Sequence, residues 1–160
     1  MRIEPTGAAA LRAVLLKDLE AVSHLEKHIA ELPDKALTRE QLDSLGFALH
    51  NLYNALENSF TQISLSFENH VKEPFRWHQE LLEKMFLEIP PVRPAVLPTP
   101  AKSLLVDLLG FRHFFRHGYE IALDETKTVA LAKRWQKEGS AIKQALRNFC
   151  EKLDSAASKG

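Results

Sequence analysis

Eight consecutive residues hold most of what this chain could use for chemistry. From Arg112 to Tyr119 the sequence reads RHFFRHGY, which sets two arginines, two histidines and a tyrosine side by side. Histidine titrates near neutrality and can take or give a proton. Arginine keeps its charge and offers a planar fork of donors that matches phosphate oxygens. Together these residue types suit cleavage of an RNA strand by its own 2′-hydroxyl. That reaction needs a base for the 2′ proton, an acid for the leaving 5′-oxygen, and positive charge against the crowded phosphorane. The scheme calls for no metal and no cofactor.

Spacing constrains how these groups could meet. On a helix His113 and His117 lie one turn apart and share a face, as do Arg112 and Arg116. Arg112 and His117 are five residues apart, about 500° of rotation, which leaves some 140° between their side chains. One regular helix does not bring both to one point. Either the helix bends near Gly118, or a symmetric dimer places two such helices in one cleft. Between Lys102 and Lys137 there are seven Lys or Arg against four Asp or Glu, a local surplus that favours an anionic partner. Phe111, Phe114 and Phe115 interleave with the charged residues and read as the apolar stripe that seats the helix, rather than as a platform for bases. The competing reading of the whole stretch is a basic, solvated helix face.

Other titratable groups are rivals of lesser weight. His24 and His28, with Glu20 and Glu31 nearby, have the i, i+4 spacing of two zinc ligands, and His113, His117 and Glu120 form a second such set. Catalytic zinc takes three protein ligands and an open position, so paired histidines alone favour a solvated face and no metal site is expected. His78 beside Trp77 reads as a packed, hydrogen-bonded histidine, with cleft lining as the alternative. Cys150 stands among Leu146, Phe149 and Leu153 and reads as an inert packed thiol. As the single cysteine it forms no intrachain disulfide.

The elements that must position these groups are helical nearly throughout. Leu11, Leu15, Leu19, Val22, Leu25, Ile29 and Leu32 recur at steps of three or four until Pro33 and Asp34. Thr38 and Gln41 form a capping box for a second helix, carried by Leu42, Leu45, Leu49, Leu52, Leu56, Phe60, Ile63 and Phe67. Pro74 opens a shorter piece around WHQELLEKM. Five of the eight prolines then crowd between Pro90 and Pro100, and that run is an irregular loop within the domain. A helix from about Thr99 to Leu123 carries the basic cluster. A last helix starts after Asp124 as N-cap and runs to about Leu153, leaving a frayed tail. Long helices of this kind pair antiparallel. The expected fold class is all-α, an antiparallel four- to five-helix up-down bundle.

The 160 residues suit one domain spanning the whole chain, with its core at about 8–153. Charges balance, 21 Lys plus Arg against 21 Asp plus Glu, so no global basic field marks a general nucleic-acid binder. The N-terminus lacks the charged start and long apolar run of a signal peptide. No stretch reaches the roughly 18 apolar residues of a membrane span. A cytoplasmic protein without a membrane partner is expected.

The run from Arg112 to Tyr119 matches R-x-x-x-x-H-x-Y, and on it the chain resembles the HEPN-domain ribonuclease toxins of the HepT-like type. LYNALENSFTQI, from Leu52 to Ile63, is similar to the second helix of that family. WHQELLEKM, the Pro-rich loop and LLGFRHFFRHGYEIALD extend the likeness over about residues 8–150. The resemblance implies a HEPN fold and a metal-independent endoribonuclease acting on mRNA or tRNA, with its site between two protomers of a homodimer. It implies that Arg112 holds the phosphate and His117 does acid–base work. His113 and Arg116, inside the variable stretch, could share in catalysis or RNA binding. It further implies a nucleotidyltransferase antitoxin of the MNT or MntA type as partner, and AMPylation of Tyr119 as a block on the site. Asn54 and Glu57, one turn apart on the second helix, are candidates to support the site, with a plain surface role as the alternative. A catalytically silent HEPN module that binds a nucleotidyltransferase is the rival function.

Overall fold

A computed structural model describes residues 1–68, 76–117 and 122–158. Its described residues form five α-helices: α1 Pro5–Glu31, α2 Arg39–Glu68, α3 Trp77–Met85, α4 Lys102–His117 and α5 Glu125–Ala157, with a 3-10 turn Thr99–Ala101 leading into α4. This is the all-α bundle that the apolar spacing dictates. No described helix is long and apolar enough to cross a membrane.

Local chemistry sets the helix ends. Pro5 stands in the first turn of α1, where its missing N–H costs nothing. Thr38 and Gln41 cap each other reciprocally: the Thr38 hydroxyl accepts from the Gln41 amide at 3.2 Å, and the Gln41 side chain accepts from the Thr38 amide at 2.9 Å. The Asp124 carboxylate accepts from the Lys127 amide at 3.0 Å and starts α5. The helix then continues to Ala157, past the Leu153 end that the sequence suggests. In this last stretch the Ser155 hydroxyl donates to the Glu151 carbonyl.

Polar pairs fix the directions in which the helices run. Asp18 of α1 accepts from Asn58 and Ser59 of α2, while His28 near the end of α1 meets Ser44 near the start of α2, so α1 and α2 are antiparallel. Arg12 pairs with Asp154, and Glu26 accepts from Trp135 and Lys143, so α5 is antiparallel to α1. Helix α4 runs against α2, since Arg112 meets Asn54 while Phe115 lies over Gly46. Helix α3 runs in the same sense as α2, with His78 beside Glu57 and Lys84 beside Glu68. The core fills the space between them with Leu15, Leu49, Leu52, Phe60, Leu105, Leu108 and Trp135 among others, all almost fully buried. Burying each such side chain favours folding by roughly 1.5–3 kcal/mol before entropy is set against it.

The Pro-rich loop is anchored from inside by a charge. Arg93 is 2% exposed. Its guanidinium grips the Glu68 carboxylate at the end of α2 and donates to the carbonyls of Lys84, Leu87 and Pro94. The amides of Val96 and Leu97 donate to the Met85 carbonyl. A segment with five prolines cannot satisfy itself through helix bonds, and this buried fork does so instead. It thereby sets where α3 ends and α4 begins.

One close approach sets a limit on packing. The Trp135 ring is held by its N–H to Glu26 at 3.0 Å and lies across Gly139 one turn later. A Cβ at Gly139 would sit 2.5 Å from the ring. Gly139→Ala should gain up to about 1 kcal/mol of helix propensity yet lose about 1–3 kcal/mol to overpacking. A lower melting temperature for this variant, read by circular dichroism, is the expected outcome; a higher one would show that the ring moves freely.

Candidate functional site

Helix α4 sorts its residues by angle, and the result differs from the plain aromatic-stripe reading. Leu105 and Leu108 are buried, and Arg112 follows at one and two turns on the same face. Arg112 is 8% exposed, whereas Phe114, about 200° further round, is 40% exposed. Phe111 and Phe115 are partly buried and stack on one another at 5.9 Å. Phe114 therefore does not seat the helix; Arg112 takes that place. His113, Arg116 and His117 are exposed, and the rings of His113 and His117 lie 4.7 Å apart.

A buried arginine must be paired, and α2 and α3 supply the partners. The Arg112 Nε donates to the Asn54 side-chain oxygen at 2.5 Å, and its Nη2 lies 3.3 Å from the Glu57 carboxylate. Glu57 is itself 6% exposed. Its other oxygen lies 2.7 Å from Nδ1 of His78. Asn54 and Glu57 thus both contact Arg112, one turn apart on α2, and neither is a plain surface residue. His78 is a hydrogen-bonded residue at the edge of the network, with its side chain 30% exposed and its ring 3.7 Å from that of Trp77.

Donor and acceptor bookkeeping fixes every group in this chain of bonds. Arginine only donates, so the Asn54 oxygen faces Arg112 and the Asn54 amide nitrogen faces away. That nitrogen lies 3.0 Å from Nε2 of His50 and can only donate, so His50 accepts there and carries its proton on Nδ1. His50 is accordingly a neutral imidazole. Its pKa is lowered by burial and, after that, by the charges of Arg112 and Arg116. On the other side a carboxylate only accepts, so His78 must give Nδ1–H to Glu57. The 3.4 Å approach of Arg112 Nη1 to the same nitrogen is then a close contact between two donors, not a bond. Tyr53 lies beneath, its phenol pushed above the ordinary range by burial first and the Glu57 charge second.

Helix α4 is continuous from Lys102 to His117, and the bend expected near Gly118 falls outside the described residues. The two side chains lie on different faces, one buried and one exposed. Tyr119, with Gly118 and Glu120, lies outside the described residues. His24 and His28 are exposed, and His28 bonds to Ser44. Among the described residues no group of three His, Cys, Asp or Glu stands close enough to hold a metal ion. Cys150 is buried, and burial pushes its thiol up, which suits an inert packed role. His50 escaped the sequence reading; its one available signal is that His50, Asn54 and Glu57 fall at i, i+4 and i+7 on one face of α2.

Two expectations follow from the network. Arg112→Ala and Glu57→Ala should each lower the unfolding free energy by about 3–5 kcal/mol, because each leaves a buried charge unpaired. The double variant should lose clearly less than the sum, as urea melts would show; additive losses would mean that the pair is not coupled. His50 gives a pH dependence. Its folded pKa is depressed, so below about 6.5 the unfolded chain binds the proton more readily and stability falls. This contribution is fully present above that pH. NMR titration should place the His50 midpoint below the ordinary imidazole value, and Arg116→Gln should move it upward.

A family model described as HepT-like protein matches residues 44–153, about two-thirds of the chain. The match spans His50, Asn54, Glu57, His78 and the whole basic end of α4. No curated protein and no solved structure matches the chain. With the all-α bundle and this match, the chain belongs to the HepT-like family of HEPN proteins.

Proposed function

We propose that the protein is a metal-independent endoribonuclease and the toxin of a toxin–antitoxin pair. The observation that carries this reading is the basic end of α4, where exposed His113, Arg116 and His117 share one helix with a buried Arg112 whose position is fixed by Asn54 and Glu57. Arg116 makes no ion pair among the described residues. It is therefore available to a phosphate, while His117 is open to act on a proton at the reacting oxygen. RNA, as mRNA or tRNA, is the substrate class that supplies its own nucleophile in its 2′-hydroxyl. The chemistry needs positioning and charge, and these side chains provide both.

The continuous helical run of α4 through Arg112 and His117 supports a site completed by a homodimer. Within one chain Arg112 and His117 diverge, and a two-fold axis near the end of α4 would bring one protomer's histidine to the other's arginine. Phe114 and Phe47, 40% and 59% exposed, offer apolar area for such a contact. A nucleotidyltransferase antitoxin of the MNT or MntA type, AMPylation of Tyr119 and a cytoplasmic location complete this reading.

One observation favours a second reading, a silent HEPN module that binds a nucleotidyltransferase. Arg112 already has an intrachain carboxylate as its counterion, so its charge is committed without RNA. Activity decides between the two. Purified protein should cleave RNA in the presence of EDTA, and His117→Ala should lower kcat by roughly 10²–10⁴-fold while the helical circular-dichroism signal stays unchanged. Absence of cleavage by the wild type would leave the silent module.

A further inference from the structure

Proton transfer in RNA cleavage takes two groups, and the basic end of α4 does not by itself place two of them against Arg112. The histidines of that helix, His113 and His117, point to solvent on a different face. The imidazoles that do meet the Arg112 network are His50 and His78. His50 is spent: its Nε2 already accepts from Asn54. His78 is not. Its Nδ1–H is committed to Glu57 at 2.7 Å, which leaves Nε2 as the nitrogen with the lone pair. Nε2 has no hydrogen-bond partner among the described residues, and the His78 side chain is 30% exposed. The adjoining Trp77 ring, 3.7 Å away, restrains its orientation.

This is the arrangement that makes a histidine a good base. A buried carboxylate fixes the tautomer, aims the free nitrogen outward, and stabilises the imidazolium once the proton arrives. The arginine that would meet the phosphate lies against the same ring. We infer that His78, oriented by Glu57, is the general base that takes the 2′-hydroxyl proton, and that Glu57 is its positioning residue. The inference rests on the ribonuclease reading above. The step balances as follows. The 2′ proton passes to His78 Nε2 as the O2′–P bond forms. The P–O5′ bond breaks, and His117 of a second copy gives its proton to O5′. The products are a 2′,3′-cyclic phosphate and a 5′-hydroxyl end, with one imidazolium formed and one consumed.

The test uses the full chain and an RNA oligonucleotide in EDTA, with wild type, His117→Ala, His78→Gln and His78→Ala compared. Gln keeps a donor for Glu57 and most of the volume, so it preserves the network and removes only the base. His78→Gln should lose ~100-fold or more in kcat, with KM and the melting temperature unchanged. Added imidazole should restore part of the activity of His78→Ala. On an RNA with a bridging 5′-phosphorothiolate, whose leaving group needs no acid, the His117→Ala defect should largely vanish and the His78→Gln defect should persist. If wild type cleaves and His117→Ala does not, but His78→Gln stays within about threefold of wild type, the ribonuclease reading stands and the His78 role is overturned. A His78→Gln defect that vanishes on the phosphorothiolate overturns it too, since that is the mark of an acid. If wild type does not cleave, both fall together. Independently of activity, 15N NMR of the neutral His78 ring should show Nε2 unprotonated; a proton there would overturn the dyad.

Discussion

The ion pair between Arg112 and Glu57 is the constraint on which the rest of this site depends. Both partners are almost fully withdrawn from water, one on α4 and one on α2. Neither charge could remain there alone, because an unpaired buried ion costs several kcal/mol even after relaxation. The pair therefore fixes the rotation and axial register of α4 against α2. It also determines what every neighbour must be. Asn54 must turn its oxygen to the arginine, His50 must be neutral to accept from Asn54, and His78 must present Nδ1–H to the free oxygen of Glu57. Three side chains acquire fixed protonation states or orientations from the one pair. Such a polar chain is a poor source of net stability compared with an apolar core of equal volume. Its effect is geometric, since it determines which nitrogen of each imidazole is free.

The fold was legible from spacing because each long helix has one wide apolar face and ordinary caps. The steps from Leu11 to Ile29, the Thr38–Gln41 box and the Asp124 cap all encode local events, and local events need no knowledge of the partner helix. The basic cluster was equally visible. What spacing could not supply was which face of α4 turns inward. Hydrophobicity puts Phe114 in the core and Arg112 in water. The structure reverses them because a carboxylate and an amide wait on α2, and a pairing across 58 residues of sequence leaves no local trace. Arg93 is a second case. Nothing in a run of five prolines announces that its arginine will be the least exposed residue of the loop, since the carboxylate that pulls it in lies at the end of α2. The family likeness supplied Arg112 and His117, but it did not supply His50 or His78, which matter only once α2, α3 and α4 are assembled.

Charge balance then bears on how an RNA would be held. Arg112 and Glu57 cancel, so the network adds no net field at the mouth of the site. Of the other cations near α4, Lys102 is paired with Glu83, Lys133 with Asp34, and Arg134 with Asp107 and Glu138. Four of the seven cations counted along the sequence are thus paired within the chain. Arg116, Lys127 and Lys137 make no ion pair among the described residues, and of these Arg116 stands on α4 beside His113 and His117. On the ribonuclease reading, attraction for the RNA backbone is then weak and short-ranged, and two copies of α4 side by side would double it within a Debye length of about 8 Å. A chain with no global charge can serve an anionic substrate in this way. On that reading a dimer, rather than a protomer, would concentrate the field, and the paired arginine would supply orientation at the phosphate instead of long-range pull.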